Sequence, residues 1–267
     1  MKPDFAQYGF PYQEDLIMAF IGDPHTHGTK PGMTNWYGLY IPPPSHVLGL
    51  DSDDSFVFPE GGEEGDDVHV CVYSLRQWAS LAAKGTLFAL HFLFEPLEFT
   101  SEIWNLVSSK PQIFLAKTHA TSYFEFDDDL LTEVLWRAHS KKGRRVPKDL
   151  EFGYDREWTM SMIRSWDEAK ELLEKGCITF PRPGNEELAA IGSGKYSLSE
   201  VKAIFLQRQS EALAAEAKSP LPEAVDYESI NELLAEAYQS FWRTSQTRTG
   251  NSPQLPRLNP ARPRRIE

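Results

Sequence analysis

The residues of this chain whose types and spacing suit chemistry crowd into one stretch, Ile21 to Pro44, IGDPHTHGTKPGMTNWYGLYIPPP. Asp23, His25 and His27 alternate. On an extended backbone alternate side chains share a side, and two imidazoles there can hold a metal. Gly22, Gly28 and Gly32 permit tight turns and close backbone approach to a ligand. A glycine turn of this kind can present N–H groups to a phosphate. The bland alternatives are loop histidines bonded to nearby carbonyls and a structural turn. The further ligands a metal site needs would come from His46, His69, His91 or His119, none of which sits in a second ligand motif.

Two apolar runs flank this stretch. Leu16 to Ile21 stops at Gly22, and Trp36 to Ile41 stops at Pro42-Pro43-Pro44, which reads as strand, turn, strand. From Val68 the chain alternates, with Val68, Val70 and Val72 on one face and Asp67, His69, Cys71 and Tyr73 on the other, the pattern of a third strand. Ser74 is placed to cap a helix through Leu75, Trp78, Leu81 and Ala82, which Lys84-Gly85 ends. Leu87 to Phe94 is another apolar segment. Between Leu48 and Asp67 the acidic, glycine-rich sequence reads as a surface connection holding one short strand around Phe56 and Phe58; its carboxylates lack the spacing of a calcium loop.

The rest of the chain is support. Ile103 to Val107 and a strand-like Gln112 to Ala116 precede a helix over about Asp127 to His139. Lys141, Lys142, Arg144, Arg145 and Lys148 form a basic cluster that suits either phosphate contact or a solvated loop. Trp158, Met162, Ser165, Trp166, Ala169, Leu172 and Leu173 make a helical stripe whose aromatics read as core. Helices over Leu198 to Ala217 and Tyr227 to Trp242 follow, and from Thr244 the composition predicts an extended arm carrying Arg257, Arg262, Arg264 and Arg265.

With 267 residues the chain suits one substantial domain or two small ones, and 41% hydrophobic residues supply a core. A net charge of -12 argues against a nonspecific DNA coat, while a local basic patch still suits RNA. Cys71 and Cys177 stand alone, without the spacing of a disulfide framework or a thiolate zinc site, and read as two buried thiols. No signal-peptide core and no run of membrane-spanning length is present, so a cytoplasmic protein without a membrane partner is expected.

Several segments, in order, resemble a known family. VYSLRQWASLAAKGTLFALHFLFEP is similar to Y-S-L-R-K-F-x-x-L-A-x-K-G-N-P-x-x-L-E-L-L-F-x-P of an RNA-repair-associated group of predicted nucleotidyltransferases in the DNA polymerase β superfamily, frequent in bacteria and their phages. Gly22, His27, Gly28, Thr29, Gly38, Tyr40, Pro42 and Pro43 match its G-S-x-A-H-G-T and G-V-Y-x-P-P. Downstream, Tyr154, Asp155, Arg164, Leu172, Leu173, Gly176, Ile178 and Pro181 match its Y-D-x-K-x-x-x-H-x-x-R and following helix, and Ser219 to Pro222 matches its S-P-L-P. The Asp23 to His27 run also resembles the D-x-H-x-H opening of metal-dependent hydrolases, which implies a metal held by His25 and His27.

The nucleotidyltransferase resemblance implies an α/β fold, a polymerase-β-like mixed sheet with helices over 1–125, then a mainly helical region over 126–243 and an extended tail over 244–267. It implies nucleotide binding at Gly22, Asp23, His27, Gly28, Thr29 and Arg164. In that family paired aspartates on one strand and a third on a neighbour hold two magnesium ions, which neutralise the triphosphate and activate the attacking hydroxyl. Here those positions fall on Met33, Asn35 and His69. Gln77 and Glu157 replace family lysines, Thr86 an asparagine, His91 a glutamate and Ser161 a histidine. A frame kept without its carboxylates implies a protein that binds a nucleotide, RNA or a protein partner without ordinary transfer and with no cofactor. The alternative is an active enzyme using Mg2+ at a rearranged site of Asp23, Asp67 and His69. A shifted register that gives the chemistry to Asp51, Asp53 or Asp54 needs an insertion after the prolines.

Overall fold

The computed structural model describes residues 1–22, 34–49, 54–58, 68–118 and 152–248. Among them the fold is α/β. The strands are β1 (Leu16–Gly22), β2 (Thr34–Tyr40), β3 (Ser55–Phe58), β4 (Val68–Ser74) and β5 (Phe99–Thr100). They form one mixed sheet in the order β3-β4-β2-β1-β5. β1 runs antiparallel to β2 and β5, and β3 antiparallel to β4, while β2 and β4 are parallel. The helices are α1 (Pro44–Val47), α2 (Leu75–Ala83), α3 (Leu87–His91), α4 (Glu102–Ser108), α5 (Arg156–Lys175), α6 (Asn185–Gly192), α7 (Leu198–Glu216) and α8 (Tyr227–Arg248).

Alternation along the strands explains both faces of the sheet. Phe20, Tyr37 and Leu39 lie in a core with Trp78 of α2, Leu90 of α3 and Trp104 of α4. Trp78 meets Trp104 edge-on at 5.1 Å and donates its indole N–H to the Ala89 carbonyl at 2.8 Å, so a large ring is buried with its polar group satisfied. On the opposite face Phe5 and Phe10 of the amino-terminal segment cover Tyr40, Val70 and Val72. At Gly38 that face is tightly filled: a Cβ there would stand 3.1 Å from both Leu16 Cδ1 and Phe5 Cε2.

A second core lies between α5, α6 and α7, where Met162, Trp166, Leu188, Val201 and Phe205 meet. Helix α8 belongs elsewhere. Its Ile230, Leu233, Ala237 and Tyr238 complete the core under the sheet, Tyr238 Oη accepts from the Arg76 amide at 3.2 Å, and Trp242 donates to the Pro42 carbonyl at 3.0 Å. Helix α8, last of the described elements, thus returns to the platform on which the chain began.

The local signals of the sequence act as read. Ser74 accepts from the Gln77 amide at 3.1 Å, Gly85 takes a left-handed φ of 75°, and the acidic connection holds β3. Ile103 to Val107 lies within α4, which Ser101 caps by accepting from the Trp104 amide. Other readings are corrected. Gln112 to Ala116 is not a strand, because Pro111 starts a 3-10 turn through Phe114 and three successive buried residues, Phe114, Leu115 and Ala116, replace alternation. Trp158 is 40% exposed and lies outside the core. Thr244 to Arg248 continues α8 instead of opening an extended arm, with neither Gly nor Pro before Gly250 to stop it and Thr244 Oγ1 donating to the Ser240 carbonyl at 3.0 Å.

The helix expected over Asp127 to His139, the basic cluster from Lys141, His119, Asp51, Asp53 and the arginines from Arg257 lie outside the described residues, as does the boundary expected near residue 125. Among the described residues no helix is long and apolar enough to cross a membrane. Cys71 and Cys177 are free but half-buried, not the buried thiols expected.

Candidate functional site

Register brings two of the inferred carboxylate positions together. In the parallel β2–β4 pair Asn35 stands opposite His69, and across the antiparallel pair Gly22 stands opposite Asn35. Neighbouring strands lie about 4.8 Å apart and register partners project to one face, so the Asn35 and His69 side chains rise side by side. They sit at the end of the sheet where the chain leaves β1 at Gly22 and enters β2 at Thr34, and where it leaves β3 at Phe58 and enters β4 at Val68. Among the predicted site residues, Asp23, His25, His27, Gly28, Thr29, Met33 and Asp67 lie outside the described residues.

Asn35 is 2% exposed, and its carboxamide nitrogen is buried with no hydrogen-bond partner among the described residues. Such an orphaned donor costs about 1–3 kcal/mol of desolvation. His69 is half-buried, and its Nδ1 lies 3.9 Å from Cys71 Sγ. The face behind this pair stays uncharged: burial pushes the Cys71 thiol up to about 11, burial with the neighbouring Cys71 pushes the Tyr73 hydroxyl up to about 12, and Tyr37 is raised for the same reasons. The edge therefore offers an amide and an imidazole where hard cations need carboxylates. Among the described residues no three His, Cys, Asp or Glu side chains are grouped to hold a metal.

The shifted register finds no support at Asp54, which accepts from Ser74 Oγ at 2.8 Å and pairs with Arg76 at 2.9 Å. That places it at the Ser74 end of β4, away from His69. His46 shares a hydrogen bond of 3.1 Å with Tyr12 Oη.

Arg164 occupies a second polar centre, between α3 and α5. His91 Nε2 lies 2.8 Å from Glu168 Oε2, Arg164 Nε 3.3 Å from Glu168 Oε1, and Arg182 Nε 3.9 Å from that same oxygen. Arg182 also pairs with Glu171, which accepts from the Thr179 amide and hydroxyl. Arg164 donates to Ser161 Oγ at 3.0 Å. Thus His91, Ser161 and Arg164, three positions picked out by the family comparison of the sequence, meet in one network. All five charged or titratable members are buried.

Burial alone would raise the Glu168 carboxyl, but the charge and hydrogen bond of His91, with Arg164 and Arg182, outweigh it and hold it below its ordinary range. Burial works against Glu171 too, yet hydrogen bonds from Thr179 and Arg182 hold it at about 2. The guanidinium of Arg164 is committed to this network, which ties helix to platform. Glu168, Glu171, Thr179 and Arg182 went unread in the sequence. Their signal was the spacing of Arg164, Glu168 and Glu171, one helical face beside the apolar stripe, which resembles a solvated face until Arg182 arrives from beyond the helix.

No family model, curated protein or solved structure matches this chain.

Proposed function

We propose that this chain is a nucleotidyltransferase-like recognition protein, with a polymerase-β-like platform that binds a nucleotide or an RNA end without ordinary two-metal transfer. One observation carries the reading. The two positions that the sequence resemblance gives to the second and third metal carboxylates are register partners on a parallel strand pair, and they hold Asn35 and His69. A pairing of that kind is what two cooperating ligands on neighbouring strands require, and the side chains in place are an amide and an imidazole in place of the carboxylates that magnesium prefers.

The test is to incubate the purified chain with each labelled nucleoside triphosphate, magnesium or manganese, and a mixed RNA pool. Retention of nucleotide or RNA without label joined to RNA or protein is the expected result. Metal-dependent incorporation that Asp67→Asn abolishes would replace this reading with an active, rearranged transferase.

A further inference from the structure

We propose that the β2–β4 edge is a metal-free oxyanion site, in which the Asn35 carboxamide and the His69 imidazole donate directly to a phosphoryl group. The proposal rests on the nucleotide-recognition reading and specifies its chemistry.

The physical case is a reversal of sign. A carboxylate pair repels a phosphate unless a divalent cation stands between them, so such an edge recognises triphosphate through metal. An asparagine side chain carries two N–H donors, and an imidazole carries at least one in any protonation state. Placed side by side, they suit an anion with several acceptor oxygens and need no bridging cation. Asn35 is buried at 2% exposure with its amide nitrogen unpartnered among the described residues, which leaves a donor available to an incoming acceptor. Gly22 faces Asn35 from β1, so no side chain on that strand fills the position beside the amide. The thiol and phenols farther along this face are held protonated, and they put no negative charge behind the site.

The experiment uses the full chain, with inorganic tripolyphosphate and ATP titrated by calorimetry, first in excess EDTA and then in excess magnesium. Asn35→Asp is nearly isosteric and returns a carboxylate to the edge. His69→Asp does the same at a half-buried position, and circular dichroism checks that each variant is folded. Saturable binding of both probes in EDTA, weakened at least tenfold by either aspartate, is the expected result. Binding that requires magnesium overturns the metal-free site while leaving nucleotide recognition in place. Binding in EDTA that both folded variants keep overturns the assignment to this edge. Failure of both probes to bind with or without metal overturns the inference together with the reading beneath it.

Discussion

On the proposed reading, Asn35 sets stability against function in a single side chain. Its orphaned amide nitrogen costs stability, so an apolar side chain of similar volume removes a penalty without deleting a bond. Asn35→Leu is expected to leave the unfolding free energy unchanged or raise it by about 1 kcal/mol while nucleotide retention is lost, as chemical denaturation and equilibrium dialysis would show. Glu171 makes the opposite case. Its folded carboxyl is held at about 2 against an ordinary 4.5, so its contribution is fully present above 4.5 and lost as pH falls toward 2. Unfolding curves across that window should lose stability in the native chain, and the slope should flatten in Glu171→Gln. At this scale the sequence was legible where identity alone carried meaning: Asn35 and His69 were singled out because neither is an aspartate. It was opaque for Glu168 and Arg182, since their importance lies in a contact between residues that no periodicity links.

Among the elements, α5 depends on partners outside itself. Asp155 caps it by accepting from the Trp158 amide, and Gly176 ends it with a left-handed φ of 68°, both readable from residue type. What the helix does is set by Glu168, which reaches His91 of α3 and Arg182 beyond the helix. Glu168→Ala takes the shared carboxylate from the buried Arg164 guanidinium and the His91 imidazole while Arg182 keeps Glu171, and a loss of about 3–5 kcal/mol is expected in chemical denaturation. Helix α7 offers a milder contrast. Ser197 and Glu200 form a reciprocal capping box at its start, and Ser197→Ala should cost about 1 kcal/mol in the same measurement. Strands were easier to read than short helices. Alternation in Val68 to Tyr73 specified β4, whereas Gln112 to Ala116 has strand-like residues without alternation and Pro111 directs it into a turn.

For the whole molecule, the order of the chain misleads about its packing. The sequence separated an early α/β part from a later helical part, and α5, α6 and α7 do share a core of their own. Helix α8, last of the described elements, instead closes the core beneath the sheet through Ile230, Leu233 and Ala237. A long-range return of this kind leaves no local mark, because an amphipathic helix specifies that it needs a partner and not which one. A chain ended at residue 226 is therefore expected to lose its cooperative unfolding transition and near-ultraviolet dichroism, even though it retains all five described strands. The same platform places Asn35 and His69 at one end of the sheet, and that placement is the centre of the functional account. The most direct test is nuclear magnetic resonance of the side-chain N–H groups of these two residues, while ATP is added in EDTA and, in a second sample free of nucleotide and chelator, while manganese is added. Saturable shifts of the Asn35 amide pair before any metal is present are predicted, with no manganese-dependent broadening in the absence of nucleotide. Unshifted resonances in EDTA, together with broadening by manganese alone, would mean that this edge holds a metal ion after all and would contradict the account.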